Sequence, residues 1–283
     1  LLFFLLFFLY GFTPLQGQEE FRGWEQTETE HFRFIYEKRD ESSVKELLTF
    51  CEDVYADVTG YFKYYPEKVT CVVRGRLDIA NGSYAALPNR INLYVPSPSG
   101  PWLGSKTENW LKALLTHELT HYVHLTYNRG FFYILGEVFG RDLRVIQAGF
   151  QPGWMIEGIT IALETEFSSG GRGRNPFFEL YWKAPLIEDR LFSLRQASYM
   201  SSYPPRGRIY VAGYMIVSYM MERFGKDVFQ RIHREFVRFP LFGPRYAIKK
   251  VTGASAGEIY SGMVENLDKQ YASFRELPSG DRV

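Results

Sequence analysis

Residues 110–125 read Trp-Leu-Lys-Ala-Leu-Leu-Thr-His-Glu-Leu-Thr-His-Tyr-Val-His-Leu, an apolar run that carries three imidazoles and one carboxylate. Trp110, Leu111, Leu114, Leu115, Leu119 and Val123 recur near the helical period, so the run is expected to be a helix with its stripe in the core. Thr107, Glu108 and Asn109 offer N-terminal caps. A four-residue step on a helix turns about 400° and rises about 6 Å, which sets His117 and His121 on one face, able to share one tetrahedral metal. Glu118 lies about 100° further round, where its carboxylate can reach a water at that metal and serve as general base without being a ligand.

A catalytic zinc usually takes three protein ligands, so another side chain is needed. The strongest candidate is Glu157, in Gly153-Trp154-Met155-Ile156-Glu157-Gly158. Pro152 and Gly153 close the preceding loop, and Ile156, Ile159, Ile161 and Leu163 mark the next stretch as a short buried helix. A glutamate in so apolar a segment has to be paired, hydrogen-bonded or bound to metal. Gly158 leaves the space that a close helix crossing needs, at some cost in helix stability. Two alternatives stand beside this reading. Glu157 could face solvent at a helix start, or the ligand could come from Glu164 or Glu166, which lie toward the polar end and read as solvated.

His117-Glu118-Leu119-Thr120-His121 followed by Trp154-Met155-Ile156-Glu157-Gly158 resembles the gluzincin metallopeptidases, most closely the bacterial peptidase MA-like domains. The resemblance covers roughly residues 30 to 275, although only the two motifs are specific. It implies His117 and His121 as Zn2+ ligands, Glu157 as third ligand and Glu118 as catalytic base. One departure stands out. Thermolysin-type gluzincins carry an aspartate one turn after the metal glutamate, and here that turn reads Ile159, Thr160, Ile161. The carboxylate that would support a ligand histidine is therefore unassigned. The same resemblance points to a tyrosine on a later helix as oxyanion donor, with Tyr210 first and Tyr214 second. Against this, the chain has 20 tyrosines, and an amphipathic helix uses such residues for packing.

The remaining histidines read otherwise. His124 is too far along the axis from His117 to share its metal, and a metzincin would need glycine at 124 and histidine at 127, where Tyr127 stands. It is expected to be a packed or hydrogen-bonded neighbour. His31, in a strand-like run, and His233, on a polar helix, read as ordinary surface or core residues.

Leu1 to Leu9 holds only leucine and phenylalanine, and the apolar run reaches about Phe12 before Thr13-Pro14. That is the length of a signal-peptide core and short of the roughly 20 residues of a membrane span. Residues 1–17 are thus expected to be an export signal or, alternatively, an N-terminal membrane anchor, which places the protein in the periplasm or outside the cell. In such a compartment Cys51 and Cys71 could bridge, or stay as buried free thiols. A net charge of +1 gives no electrostatic argument for nucleic acid.

Phe32 to Tyr36 alternates as a strand, Val44 to Tyr61 is helical with a stop at Gly60, and Lys68 to Val73 is a second strand. Tyr84 to Ala86 and Arg90 to Val95 form a hairpin around Pro88-Asn89, and from Lys106 onward the chain is mostly helical. Strands first and helices after predict an α+β, zincin-like fold in which a small mixed sheet packs on the active-site helix, followed by a mostly helical C-terminal part. Residues 18–283 would be one domain, with its sheet within 30–127 and its helical part within 128–275. By resemblance, Ile91 to Val95 is the candidate cleft-edge strand that pairs with substrate, an interior strand being the alternative. A helix from Phe131 to Arg144 packs on the domain, or else forms a lid or dips into a membrane surface. Ser168 to Arg174 reads as a solvated linker.

The expected function is that of an exported, zinc-dependent hydrolase of peptide bonds, an endopeptidase acting on peptides or proteins. The other reading is a scaffold or binding domain that keeps the fold without turnover. MA-like domains also precede β-propeller or repeat domains, and Arg282-Val283 does not resemble a natural end, so a longer chain is expected.

Overall fold

The computed structural model describes residues 23–276 apart from 77, 79, 99–108, 128 and 203–205, with backbone alone at 141, 142, 144 and 145. The leader, the caps Thr107 and Glu108, and the C-terminal Arg282-Val283 lie outside the described residues.

Five strands, β1 (Trp24–Glu28), β2 (Phe32–Glu37), β3 (Val69–Arg74), β4 (Gly82–Ala85) and β5 (Arg90–Tyr94), form one mixed sheet in the order β1-β2-β3-β5-β4. The inner pairs are parallel, with Phe34 opposite Cys71 and Cys71 opposite Ile91, and the two outer pairs are antiparallel. Parallel pairing requires a long crossover. Helices α1 (Glu41–Leu48) and α2 (Cys51–Phe62) supply it between β2 and β3. Period-2 alternation puts Phe32, Phe34, Val69, Cys71, Val73, Ile91 and Leu93 wholly inside, and α3 (Trp110–Leu125) packs on β4 and β5.

Several expectations need correction. The segment 44–61 is two helices, because the chain turns at Thr49 and Phe50. The second helix runs through Gly60 and stops at Lys63, whose left-handed φ of 54° turns the chain so that the Tyr64 N–H reaches the Thr59 carbonyl at 3.3 Å. β5 is interior, so the sheet edge facing α3 is β4. Cys51 and Cys71 are free and buried, and burial pushes the Cys51 thiol up to about 11 and raises Cys71 as well. β1 carries no apolar signal, since Trp24-Glu25-Gln26-Thr27-Glu28 is a polar edge strand held by backbone pairing to β2.

The helical part contains α4 (Phe131–Phe139), α5 (Gly153–Glu166), α6 (Pro176–Ile187), α7 (Leu194–Ala197), α8 (Arg208–Phe224), α9 (Val228–Arg238), α10 (Gly243–Thr252), α11 (Ala256–Gln270) and α12 (Ala272–Arg275). α4 is shorter than expected and ends at Gly140, whose φ of +112° admits glycine readily. It buries Phe132 and leaves Val138 and Phe139 more than two-thirds exposed.

The closest helix contact joins α5 to α8. A Cβ on Gly158 would stand 2.4 Å from the Gly213 carbonyl oxygen, and one on Gly213 would stand 2.5 Å from that of Trp154. Two glycines thus let the helix backbones touch. That contact brings Glu157 of α5 and Tyr210 of α8 to the same cavity.

Candidate metal centre

The polar residues of α3 are provided for locally. Asn109 caps the helix by accepting from the Lys112 N–H at 2.9 Å, while the Thr116 and Thr120 hydroxyls donate back to the carbonyls of Lys112 and Thr116. The remaining demand falls on His117, Glu118 and His121, all at least nine-tenths buried. The two imidazoles stand nearly perpendicular with centroids 4.8 Å apart.

α5 crosses this face and presents Glu157. Its Oε2 lies 3.6 Å from His117 Nε2 and 3.4 Å from His121 Nε2. Ligands about 2.1 Å from a tetrahedral ion are about 3.4 Å from one another, so the spacing suits zinc. His117, His121 and Glu157 offer ligand atoms within 4.8 Å of one another. Glu157 Oε2 and Glu118 Oε2 are buried without a hydrogen-bond partner, which a cation and its water would relieve. The residues therefore fit a zinc ion.

Glu118 points toward the sheet edge. A Cβ on Gly82 of β4 would stand 2.7 Å from Glu118 Oε1, so glycine there makes room for the carboxylate. The cavity holds about 610 Å³, and His117, Glu118, His121, Glu157, Arg172 and Tyr210 are among its walls. None of the described residues of α4 lines this cavity.

Two residues whose local sequence reads as solvated stand beside His117. Glu164, at the polar end of its segment, is buried, with Oε2 3.0 Å from His117 Nδ1. Arg172, in the stretch expected to be a linker, is also buried and clamps Glu164. Its Nε donates to Oε1 at 2.8 Å, its Nη2 to Oε2 at 2.7 Å and its backbone N–H to Oε1 at 3.0 Å. Glu164 follows Glu157 by seven residues, two helical turns on one face, and that spacing is the signal the sequence holds for it. Nothing local marks Arg172, because the chain returns to α5 through Gly171 and Gly173, where a Cβ would strike Thr165 and Tyr214.

The charges explain the protonation. Three carboxylates, Glu118, Glu157 and Glu164, share a buried neighbourhood with one guanidinium. Burial and Arg172 press the His117 pKa down, but the nearby Glu157 and Glu164 carboxylates outweigh them and raise it to about 9. Burial opposes ionisation of Glu157, yet the two histidines hold it well below the usual carboxylate range. Glu164 falls to about 2, against burial, through Arg172. The Tyr210 phenol is pushed up to about 12 by burial and by Glu157.

Tyr210 borders the cavity, with the Arg172 guanidinium 5.7 Å from its ring centre. Tyr214 instead turns its hydroxyl to the Gly173 carbonyl at 3.4 Å and packs on Phe178 and Trp182. His124 lies apart from the metal cluster, bonded to Gln151 at 3.0 Å and packed against His233 and Phe62. His31 pairs with Glu52 at 2.6 Å and stacks on Tyr55.

No protein-family profile matches the chain. It is 24% identical over 218 residues to an uncharacterized protein of Treponema pallidum (strain Nichols), a match spanning 74% of this chain and 19% of that protein. The chain therefore corresponds to about a fifth of that relative. Among solved structures it is similar to a mutant M1 zinc metallopeptidase from Deinococcus radiodurans, with TM-score 0.42 and 15% identity over 89% of this chain and 50% of that one. The same enzyme bound to a Tyr-Ser-Ala substrate gives 0.41 and 13% over 92% of this chain and 54% of that one. The chain spans about half the length of these structures.

Proposed function

We propose that the chain is the catalytic domain of an exported, gluzincin-type zinc endopeptidase. The observation that carries this reading is the meeting of His117 Nε2, His121 Nε2 and Glu157 Oε2 at tetrahedral-edge distances, with the unpartnered Glu118 carboxylate in the same cavity.

Bound by His117, His121 and Glu157, zinc would supply Lewis-acid polarisation of the scissile carbonyl and ease ionisation of a water. Glu118 takes the proton of the attacking water and delivers it to the leaving amine. Tyr210, protonated across the neutral range because its pKa is raised to about 12, donates to the oxyanion. β4 pairs with β5 on one side only among the described residues, so its free edge beside Glu118 accepts an extended peptide as an added strand. Export rests on the apolar run from Leu1 to Phe12. The match to a fifth of a much longer relative supports placing this domain within a larger envelope protein, where further repeat or propeller domains would lie.

The test is cleavage of a denatured protein mixture by wild type and Glu118→Gln, with zinc counted in both. One zinc in each and cutting by wild type alone is expected. One zinc in each with no cutting by either would favour a scaffold role.

A further inference from the structure

A second cavity of about 1080 Å³ has Tyr210 among its walls, as does the cavity that holds His117, His121 and Glu157. The size of the second cavity is at the upper end of ligand-binding clefts. Its charge is one-sided. Among the described residues, Arg190, Arg206 and Arg208 border it against a single acid, Glu188. That acid is 3.8 Å from Arg190, and both side chains are mostly exposed, so the pair neutralises little. Arg206 donates to the Ser202 carbonyl at 3.3 Å and makes no ion pair among the described residues. Arg208 makes no ion pair among the described residues, and its Nε is buried without a hydrogen-bond partner. A buried guanidinium donor left unpaired is costly, and a carboxylate is the group whose two oxygens match its fork. Leu180 and Phe192 add apolar wall.

Arg208 and Tyr210 both stand in the first turn of α8, so the helix that brings the tyrosine to the metal cavity also brings the arginine to the second one. We infer that this arginine-lined cavity is a substrate subsite that binds a peptide carboxylate, so that the cleft selects peptides with an acidic group beyond Tyr210. The inference rests on the peptidase reading for its substrate. The carboxylate has two sources, an Asp or Glu side chain or the peptide's own C-terminus.

Zinc-loaded wild type and Arg208→Gln are each given a defined peptide mixture, and cut sites are read by mass spectrometry. Asp or Glu should be enriched about tenfold or more at one fixed position relative to the cut, and Arg208→Gln should bring that ratio close to one. Cuts at a fixed distance from the C-terminus that vanish on C-terminal amidation assign the terminal carboxylate instead. Cutting with no acidic preference in either arm overturns the inference and leaves the peptidase reading standing. In parallel, fluorescein-labelled peptides differing by one Glu or Gln, or by a free or amidated terminus, are titrated by anisotropy into Glu118→Gln with and without Arg208→Gln. If wild type cuts nothing, tighter binding of the acidic peptide that Arg208→Gln abolishes upholds the subsite while the peptidase reading fails. Equal binding of all peptides overturns the subsite.

Discussion

His117 Nδ1 and Glu164 Oε2 lie 3.0 Å apart, and the Arg172 guanidinium bonds both oxygens of that carboxylate, with its Nη2 also 2.5 Å from His117 Nδ1. Contacts at Nδ1 fix the ring plane of His117 and leave its Nε2 turned toward Glu157. His121 has no such support, since its Nδ1 is buried without a partner. The two histidines are thus unequally prepared. The turn after Glu157 holds no carboxylate, and Glu164, a turn further on, is the one that meets His117 Nδ1.

Glu164→Gln is accordingly expected to weaken zinc binding about 10- to 100-fold with the fold intact. Competition against a chromophoric chelator, alongside circular dichroism, reads this. Zinc affinity equal to wild type would show that Glu164 serves only to neutralise Arg172.

Tyr210→Phe removes one hydroxyl from the cavity wall and leaves the ring against Arg172. If that hydroxyl donates to the oxyanion, kcat should fall about a hundredfold with KM and zinc content little changed. A change confined to KM would make Tyr210 a substrate-packing residue.

Gly158→Ala tests the contact that positions the site. The added methyl would stand 2.4 Å from the Gly213 carbonyl oxygen, so α5 and α8 must separate. Overpacking of this kind costs about 1–3 kcal/mol, to be seen as a lower denaturation midpoint with an unchanged m-value. Because α5 carries Glu157 and α8 carries Tyr210, zinc affinity should fall with it. An alanine variant as stable as wild type would mean that the two helices approach less closely than this geometry states.

Legibility in the sequence depends on the range of the interactions. The placing of His117, Glu118 and His121 depends on helical period alone, and the α+β division depends on strand and helix patterns in local windows. Glu164 and Arg172 read wrongly because burial of a charged residue is decided by a partner distant in sequence, here His117, 47 residues from Glu164 and 55 from Arg172. The edge strand is misplaced for a related reason. β4 and β5 form the expected hairpin, but which of them joins β3 is set by long-range pairing of Cys71 with Ile91. β1 is silent because strand formation there comes from backbone pairing to β2 and carries no apolar alternation.

The buried pair His124 and His233 should govern acid stability. His124 and His233 are fully buried with ring centroids 4.4 Å apart, among Phe62, Tyr127 and Phe236. Burial lowers both pKa values, His233 to about 3 and His124 well below its ordinary value. In the unfolded chain both take a proton near 6.5, so below about that pH the unfolded state binds more protons than the folded one. Their contribution is therefore complete above about pH 6.5 and is lost as pH falls toward 3, at roughly 1.4 kcal/mol per pH unit for each fully neutral histidine. His233→Leu removes one proton from that difference. Urea unfolding at a series of pH values from 7 to 4 should give a shallower decline for the variant by about that slope. A decline parallel to wild type would show that His233 takes up its proton without unfolding the chain.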